Sequence, residues 1–215
     1  MSSLANVPFR SRPNRYGYGV NSFIASIINS LDTAVWGVFV ENPFLIDVAK
    51  VVTWFGTGLV LVPAAVAVGA VVWWRTRDVL SAIIPWLTLQ VCGVVIASMK
   101  NWTAVQRPPR EFWLTTTDSF SFPSGHVGNT TALVASLVLL VYKNLPHYSR
   151  TSFAFGGLVC IAMAWSRLAL NIHWMSDVVA GLLTGTAIAF LVARVAERFK
   201  SPRGSQPQTP GQREG

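Results

Sequence analysis

Charged residues are scarce in this 215-residue chain, where Asp, Glu, Lys and Arg together make up only 12%. A soluble domain carries about 25% of such residues, so this chain has too few charges to cover a surface that faces water. Apolar residues make up 52% of the sequence, and its nine tryptophans suit a protein with two membrane interfaces. The composition therefore predicts an integral membrane protein and argues against a soluble globular class.

Cysteine is also rare, and residues 1–20 show no evident cleavable signal peptide. The two cysteines, Cys92 and Cys160, lie in apolar runs, and their spacing fits neither a disulfide framework nor a zinc site. Residues 1–20 are polar and basic and contain no apolar core of a signal peptide. We therefore expect a separate polar N-terminal segment over 1–20, with insertion directed by the first transmembrane helix.

Long apolar runs follow this segment, and a spanning helix needs about 20 such residues. The runs that reach or approach this length are 21–40, 51–74, 79–99, 127–142, 151–169 and 177–195. The first contains Asn29 and Asp32, and its alternative is an amphipathic helix at the membrane interface. The sequence predicts an all-α polytopic bundle of six transmembrane helices, or five plus an interfacial helix, with one catalytic domain over 21–200.

The net charge of +8 is concentrated at the chain ends and in short connectors. This distribution favours contact with anionic lipid headgroups and not with nucleic acid. If the connector with Arg75 and Arg77 is cytoplasmic, alternation places Lys143 and Lys200 on the same side, as the positive-inside rule requires. Residues 201–215 are rich in Pro, Gly, Gln and Ser and are predicted to form a disordered cytoplasmic tail.

Three polar clusters interrupt the apolar pattern, all on the face opposite the basic connectors. They are 100–108 (KNWTAVQRP), 123–126 (PSGH) and 166–177 (SRLALNIHWMSD). Lys100, Arg107 and Arg167 can together neutralise a phosphoryl group and the charge that develops on its oxygens. Ser124 and Gly125 stand where a helix begins, so free N–H groups there form an anion site. These residue types indicate phosphate binding.

The histidines of these clusters suit phosphoryl transfer. His173 and Asp177 are four apart and would share one face of a helix, where the carboxylate fixes the histidine tautomer. His173 can then attack phosphorus, and His126, from another loop, can protonate the leaving oxygen. Two histidines and one aspartate could instead ligate zinc, but three cations would oppose a divalent ion. The sequence therefore predicts a site that uses neither metal nor cofactor.

The three clusters have the forms K-x6-R-P, P-S-G-H and S-R-x5-H-x3-D, in this order. Together they resemble the type-2 phosphatidic acid phosphatase superfamily, which includes bacterial acid phosphatases and vanadium haloperoxidases. The resemblance covers about residues 51–195. It implies a metal-free helical bundle with its site at the extracytoplasmic surface. It also implies phosphate-binding roles for the three cations, Ser124 and Gly125, with His126 as acid and His173 as nucleophile beside Asp177.

A site at the membrane surface indicates a lipid phosphate as substrate. Members of this superfamily with similar size act on polyprenyl diphosphates, phosphatidate or phosphatidylglycerophosphate, and the compact chain slightly favours a polyprenyl diphosphate. The expected location is a bacterial inner membrane. Two alternatives stay open at this point: a lipid phosphotransferase that uses the same site, and a non-enzymatic transporter or scaffold that binds lipid phosphates.

Overall fold

The computed structural model describes residues 42–200 together with Ile28, Ser30 and Asp32. The helices within 42–200 are α1 (Pro43–Phe55), α2 (Gly58–Thr76), α3 (Val79–Thr103), α4 (Gly125–Asn144), α5 (Ser149–Ala169) and α6 (Met175–Phe199). Short 3-10 turns cover Arg110–Phe112 and Pro146–Tyr148. These described residues contain helices and no strand, so the all-α prediction is confirmed.

Five of these helices, α2 to α6, are long and apolar enough to cross a membrane. Helix α1 has only 13 residues, about 20 Å at 1.5 Å per residue, which is too short for a hydrocarbon core of about 30 Å. The predicted span 21–40 lies outside the described residues except for three helical positions. The polar segment 1–20 and the tail 201–215 lie wholly outside them.

The predicted boundary of the run 51–74 is wrong, because the chain turns within it. Helix α1 ends at Phe55, and the amides of Gly56 and Thr57 bond to the carbonyls of Thr53 and Trp54 at 3.0 and 3.1 Å. A new helix begins at Gly58. A hydropathy average cannot detect this break, because the turn occupies only two residues of an otherwise apolar stretch.

One end of the bundle carries the short basic connectors. Lys143, at the end of α4, lies 3.4 Å from Glu197 of α6. Lys200 donates to Asp78, which also caps α3 by accepting from Ser81 N at 3.2 Å. Burial raises the pKa of Asp78, but the hydrogen bonds from Lys200 and Ser81 outweigh it and lower the pKa to about 2. The three polar clusters lie at the opposite end.

Helices α4 and α6 meet backbone to backbone, and this contact sets the geometry of that opposite end. A Cβ added to Gly185 would stand 2.3 Å from Gly128 O, closer than any real contact. Near the helix starts, Ser124 N donates to Asp177 O at 2.9 Å. The close approach therefore brings the PSGH cluster of α4 directly beside the histidine–aspartate cluster of α6.

We expect Gly185→Ala to destabilise the bundle by about 1–3 kcal/mol, the usual cost of overpacking, because neither backbone can yield easily. Thermal unfolding in detergent measures the effect. Gly157→Ala is the matched control, since an added Cβ there meets nothing within 4 Å. Equal unfolding temperatures for the two variants would contradict the close contact.

Candidate active site

His173 and Asp177 form a buried pair at the start of α6. His173 Nδ1 lies 3.0 Å from Asp177 Oδ2, and the two residues are only 2% and 0% exposed. The expectation that both lie on one helix is wrong, because α6 begins at Met175. Asp177 instead reaches back as a cap and also accepts from Trp174 N at 2.9 Å. The predicted partnership is therefore present, built by helix capping.

Arg107 stands on the other side of the His173 ring. Its Nη1 lies 3.1 Å from His173 Nε2 and donates to Ile172 O at 2.7 Å, while its Nε donates to Ser119 O at 2.7 Å. Burial lowers the pKa of Arg107 to about 10, so the side chain stays cationic at neutral pH. Because a guanidinium can only donate, it leaves the lone pair of His173 on Nε2 and the proton on Nδ1.

The other predicted cations face the same histidine. Burial lowers the pKa of His173 well below its usual 6.5, and the charges of Arg107, Arg167 and Lys100 lower it further, followed by that of His126. Lys100 Nζ also donates to Phe120 O, in the loop that precedes the PSGH cluster. Residues of all three clusters therefore act on one buried histidine, which is uncharged at neutral pH.

Two buried polar atoms of the predicted phosphate site have no hydrogen-bond partner among residues 42–200. They are Ser124 Oγ and Arg167 Nε. A buried polar atom without a partner costs free energy, so both are suited to a ligand that brings oxygen atoms. At Gly125 an added Cβ would meet only Ile96 and Lys100, at ordinary distances of 3.8 and 3.9 Å. That Gly125 admits a phosphate stays a prediction.

Two contacts at the candidate site have no counterpart in the sequence interpretation. Ser121 is fully buried, donates to Asp177 Oδ2 and lies 3.5 Å from His173 Nδ1. Asp32, to which the sequence assigned no role, is buried and accepts from Ser176 N at 2.8 Å and Ser176 Oγ at 2.7 Å. Asp32 therefore satisfies the backbone N–H of Ser176, in the first turn of α6 and directly before Asp177. A carboxylate inside an apolar run was its only signal, and Ser121 had none.

A cavity of about 660 Å³ opens beside Lys100 and Arg107. Most of its polar lining comes from the connector between α3 and α4. These lining residues are Gln106, Arg110, Thr117, Asp118 and Ser119, and Asn101 joins them from the end of α3. Next to Lys100 and Arg107, the cavity therefore offers neutral hydrogen-bonding groups together with one further cation, Arg110, and one anion, Asp118.

Comparisons with known proteins agree with this arrangement. The family model of the PAP2 superfamily matches residues 80–201. Phosphatidylglycerophosphatase B of Bacillus subtilis (strain 168) is 29% identical over 181 residues, which cover 80% of this chain and 87% of that protein.

Two solved structures share the fold. A transmembrane PAP2 type phosphatidylglycerolphosphate phosphatase from Bacillus subtilis superposes with a TM-score of 0.73 at 24% identity, covering 85% of this chain and 90% of that one. LpxE of Aquifex aeolicus gives a TM-score of 0.58 at 19% identity, with 78% and 95% covered.

Proposed function

Because this chain belongs to the PAP2 superfamily, we propose that it is a lipid phosphatase that transfers a terminal phosphoryl group to His173 and then to water. The observation that carries the proposal is the position of His173 between Asp177 and Arg107. An acceptor on Nδ1 and a donor at Nε2 select the tautomer whose Nε2 lone pair can attack phosphorus.

The reaction divides into two displacements at phosphorus. In the first, His173 Nε2 forms a bond to phosphorus while the bond to the lipid oxygen breaks, and His126 gives that oxygen a proton. In the second, water attacks the phosphohistidine, His126 takes the proton, and phosphate leaves with the P–N bond broken. Lys100, Arg107 and Arg167 neutralise the charge on the equatorial oxygens in both steps.

Among lipid phosphates, we propose phosphatidylglycerophosphate as the first candidate substrate. Its phosphate monoester is carried on a glycerol unit, and the polar cavity beside Lys100 and Arg107 can bind such a headgroup. A polyprenyl diphosphate has no hydroxyl groups for this lining. Relatives named for phosphatidylglycerophosphate support the same order.

Phosphate release from purified protein tests this function. The panel contains phosphatidylglycerophosphate, phosphatidate, diacylglycerol pyrophosphate and a polyprenyl diphosphate in mixed micelles. We expect the first to give the highest kcat/KM. A labelled phosphate that appears on a lipid acceptor instead of in solution would show phosphotransfer, and binding without turnover would show a transporter or scaffold.

The proposed reaction needs no metal, because the cations of the protein already neutralise the phosphoryl group. We expect activity to be unchanged in excess chelator and to be inhibited by vanadate, and both results would support the metal-free mechanism. Vanadate mimics five-coordinate phosphorus at a histidine nucleophile, and loss of activity with chelator that divalent ions restore would overturn the metal-free mechanism.

We expect the acid limb of the kcat/KM profile to lie below pH 6.5, the usual pKa of histidine. Only neutral His173 can attack, and burial and the surrounding cations disfavour its protonated form, so attack persists at pH values where an exposed histidine is charged. Two substrates whose phosphates ionise at different pH separate the titration of the substrate from that of His173. An acid limb at or above the usual value would contradict the prediction.

We expect Ser121→Ala to lower kcat by about ten- to a hundredfold, because a hydrogen bond to a buried charge contributes roughly 1.5–3 kcal/mol. The hydroxyl donates to the same Asp177 oxygen that holds His173, so its loss loosens the nucleophile. Ser136→Ala is the control, since that buried hydroxyl donates only to Leu133 O at 2.7 Å. Equal kcat for the two variants would contradict a role for Ser121 in holding Asp177 and His173.

We propose that the site faces the extracytoplasmic side of a bacterial inner membrane. Basic residues such as Lys143 and Lys200 lie at the opposite end of the bundle, which the positive-inside rule places in the cytoplasm. In a protein whose Cys92 and Cys160 are replaced by alanine, Asp118→Cys and Asn144→Cys test this with an impermeant thiol reagent on intact cells. Labelling at Asn144 and not at Asp118 would reverse the orientation.

A further inference from the structure

The C-terminal turn of α1, residues 53–56, contacts the site from outside the three polar clusters. Arg167 Nη1 donates a hydrogen bond to Thr53 Oγ1, and Gly56 packs against His126. The turn precedes residues 80–201, the part of the chain that the family model matches. Neither contact could therefore be found from the motifs.

Thr53 fixes the direction of a long side chain. Arg167 is only 4% exposed, and a guanidinium on a flexible stem loses rotamer entropy whenever it is held in one position. Helix α1 can supply that restraint because it is itself anchored, with Ala49 buried against Ala169 and Ile172. The Thr53 hydroxyl therefore orients Arg167 before phosphate binds.

Gly56 provides space. An added Cβ would stand 2.7 Å from Met163 Cε and 3.1 Å from His126 Cδ2. The backbone at Gly56 has a φ of −86°, which any residue can adopt, so only the neighbouring side chains require glycine here. Met163 is flexible and can move away, whereas the His126 ring belongs to the proposed proton-transfer machinery.

We propose that the turn 53–56 is a fourth part of the active site, in which Thr53 is a positioning residue for Arg167 and Gly56 preserves the position of His126. This inference rests on the proposed phosphatase function and deepens it. Arg167 binds the phosphoryl oxygens and His126 protonates the leaving oxygen. The two contacts therefore act on different parts of the reaction.

Thr53→Val, which keeps the shape of threonine without its hydroxyl, tests the first contact. We expect kcat to fall about tenfold with KM little changed, because the guanidinium loses a buried partner. Thr53→Ser should recover most of the activity. The control Thr57→Val removes the hydroxyl of the residue that follows this turn, which donates to Trp54 O at 2.7 Å and to none of the proposed site residues, and it should behave as wild type.

Vanadate separates this inference from the function on which it rests. Protection of the protein by vanadate against thermal unfolding reports the phosphate site even without turnover. Thr53→Val should raise the vanadate concentration needed for half of the full protection by about tenfold. Absence of turnover in the wild type would contradict the phosphatase proposal but not the contact between Thr53 and Arg167. A Thr53→Val protein that unfolds earlier but keeps wild-type vanadate protection would show that Thr53 is merely structural.

Gly56→Ala tests the second contact, with Gly58→Ala as its control, because an added Cβ at Gly58 meets nothing within 4 Å. Displacement of the acid should slow cleavage of an alkyl phosphate about tenfold more than cleavage of nitrophenyl phosphate, whose leaving group needs little protonation. Thr53→Val should slow both substrates equally. An equal loss for both substrates in Gly56→Ala would overturn the role given to Gly56.

Discussion

His173→Ala is expected to lower phosphate release by about four orders of magnitude or more, because removal of a nucleophile leaves only the residual catalysis of binding and electrostatics. His173 contacts Asp177 and Arg107, and the charges of Arg167 and Lys100 also act on it. Turnover of the best lipid of the panel, measured on protein with an unchanged unfolding temperature, gives the loss.

The same variant should lose the covalent intermediate. Protein mixed with labelled substrate and denatured in alkali should retain label on wild type, since a P–N bond survives base, and none on His173→Ala. His147→Ala is the matched control, because His147 is exposed in the 3-10 turn at the other end of the bundle. Substantial turnover by His173→Ala would show that another group attacks phosphorus.

Asp177→Asn is expected to lower kcat by about a thousandfold or more, the scale seen when a catalytic histidine is held in the wrong tautomer. Asp177 Oδ2 accepts from His173 Nδ1 at 3.0 Å, and an amide nitrogen in its place would donate to that atom. The proton of the ring would then move to Nε2, which could no longer attack. Steady-state kcat with the same lipid measures the effect.

Asp47→Asn is the control for this substitution. Asp47 pairs with Lys50 at 3.3 Å on the surface of α1, where its side chain is 74% exposed, so its loss should leave kcat unchanged. Asp177→Asn should also remove more activity than Ser121→Ala, which leaves the carboxylate in place. Activity of Asp177→Asn within about tenfold of wild type would contradict a tautomer-fixing role.

The sequence could predict which residues group together because the candidate chemistry is carried by short local patterns. Lys100, Arg107, His126, Arg167 and His173 were all named from residue type and topology, and the first four lie close enough to His173 to lower its pKa. Their grouping follows from alternation alone, since every second connector of a helical bundle returns to the same end. Their individual roles stay predictions until the variants are measured.

The missed features depend on contacts between distant parts of the chain. Ser121 acts through Asp177, 56 residues away, and Thr53 through Arg167, 114 residues away. Residue 56 is glycine because it packs against His126 and Met163. Both are too distant in the sequence to fall within the same hydropathy window. A local pattern can identify a reactive group, but the side chains that orient it are chosen by the fold.

The hydrogen bond between Arg107 and His173 has a consequence for the chemical selectivity of the resting enzyme. The Nε2 lone pair, which attacks phosphorus in the proposed reaction, accepts a hydrogen bond from a cation that also donates to Ile172 O and Ser119 O, so it is not free to react with a neutral electrophile. A phosphate dianion can compete for that guanidinium by charge, and in doing so it exposes the nitrogen that will attack it. In the proposed reaction, the molecule that releases the nucleophile is therefore of the same class as the molecule that consumes it, and we expect the same contact to slow alkylation of His173 by neutral reagents.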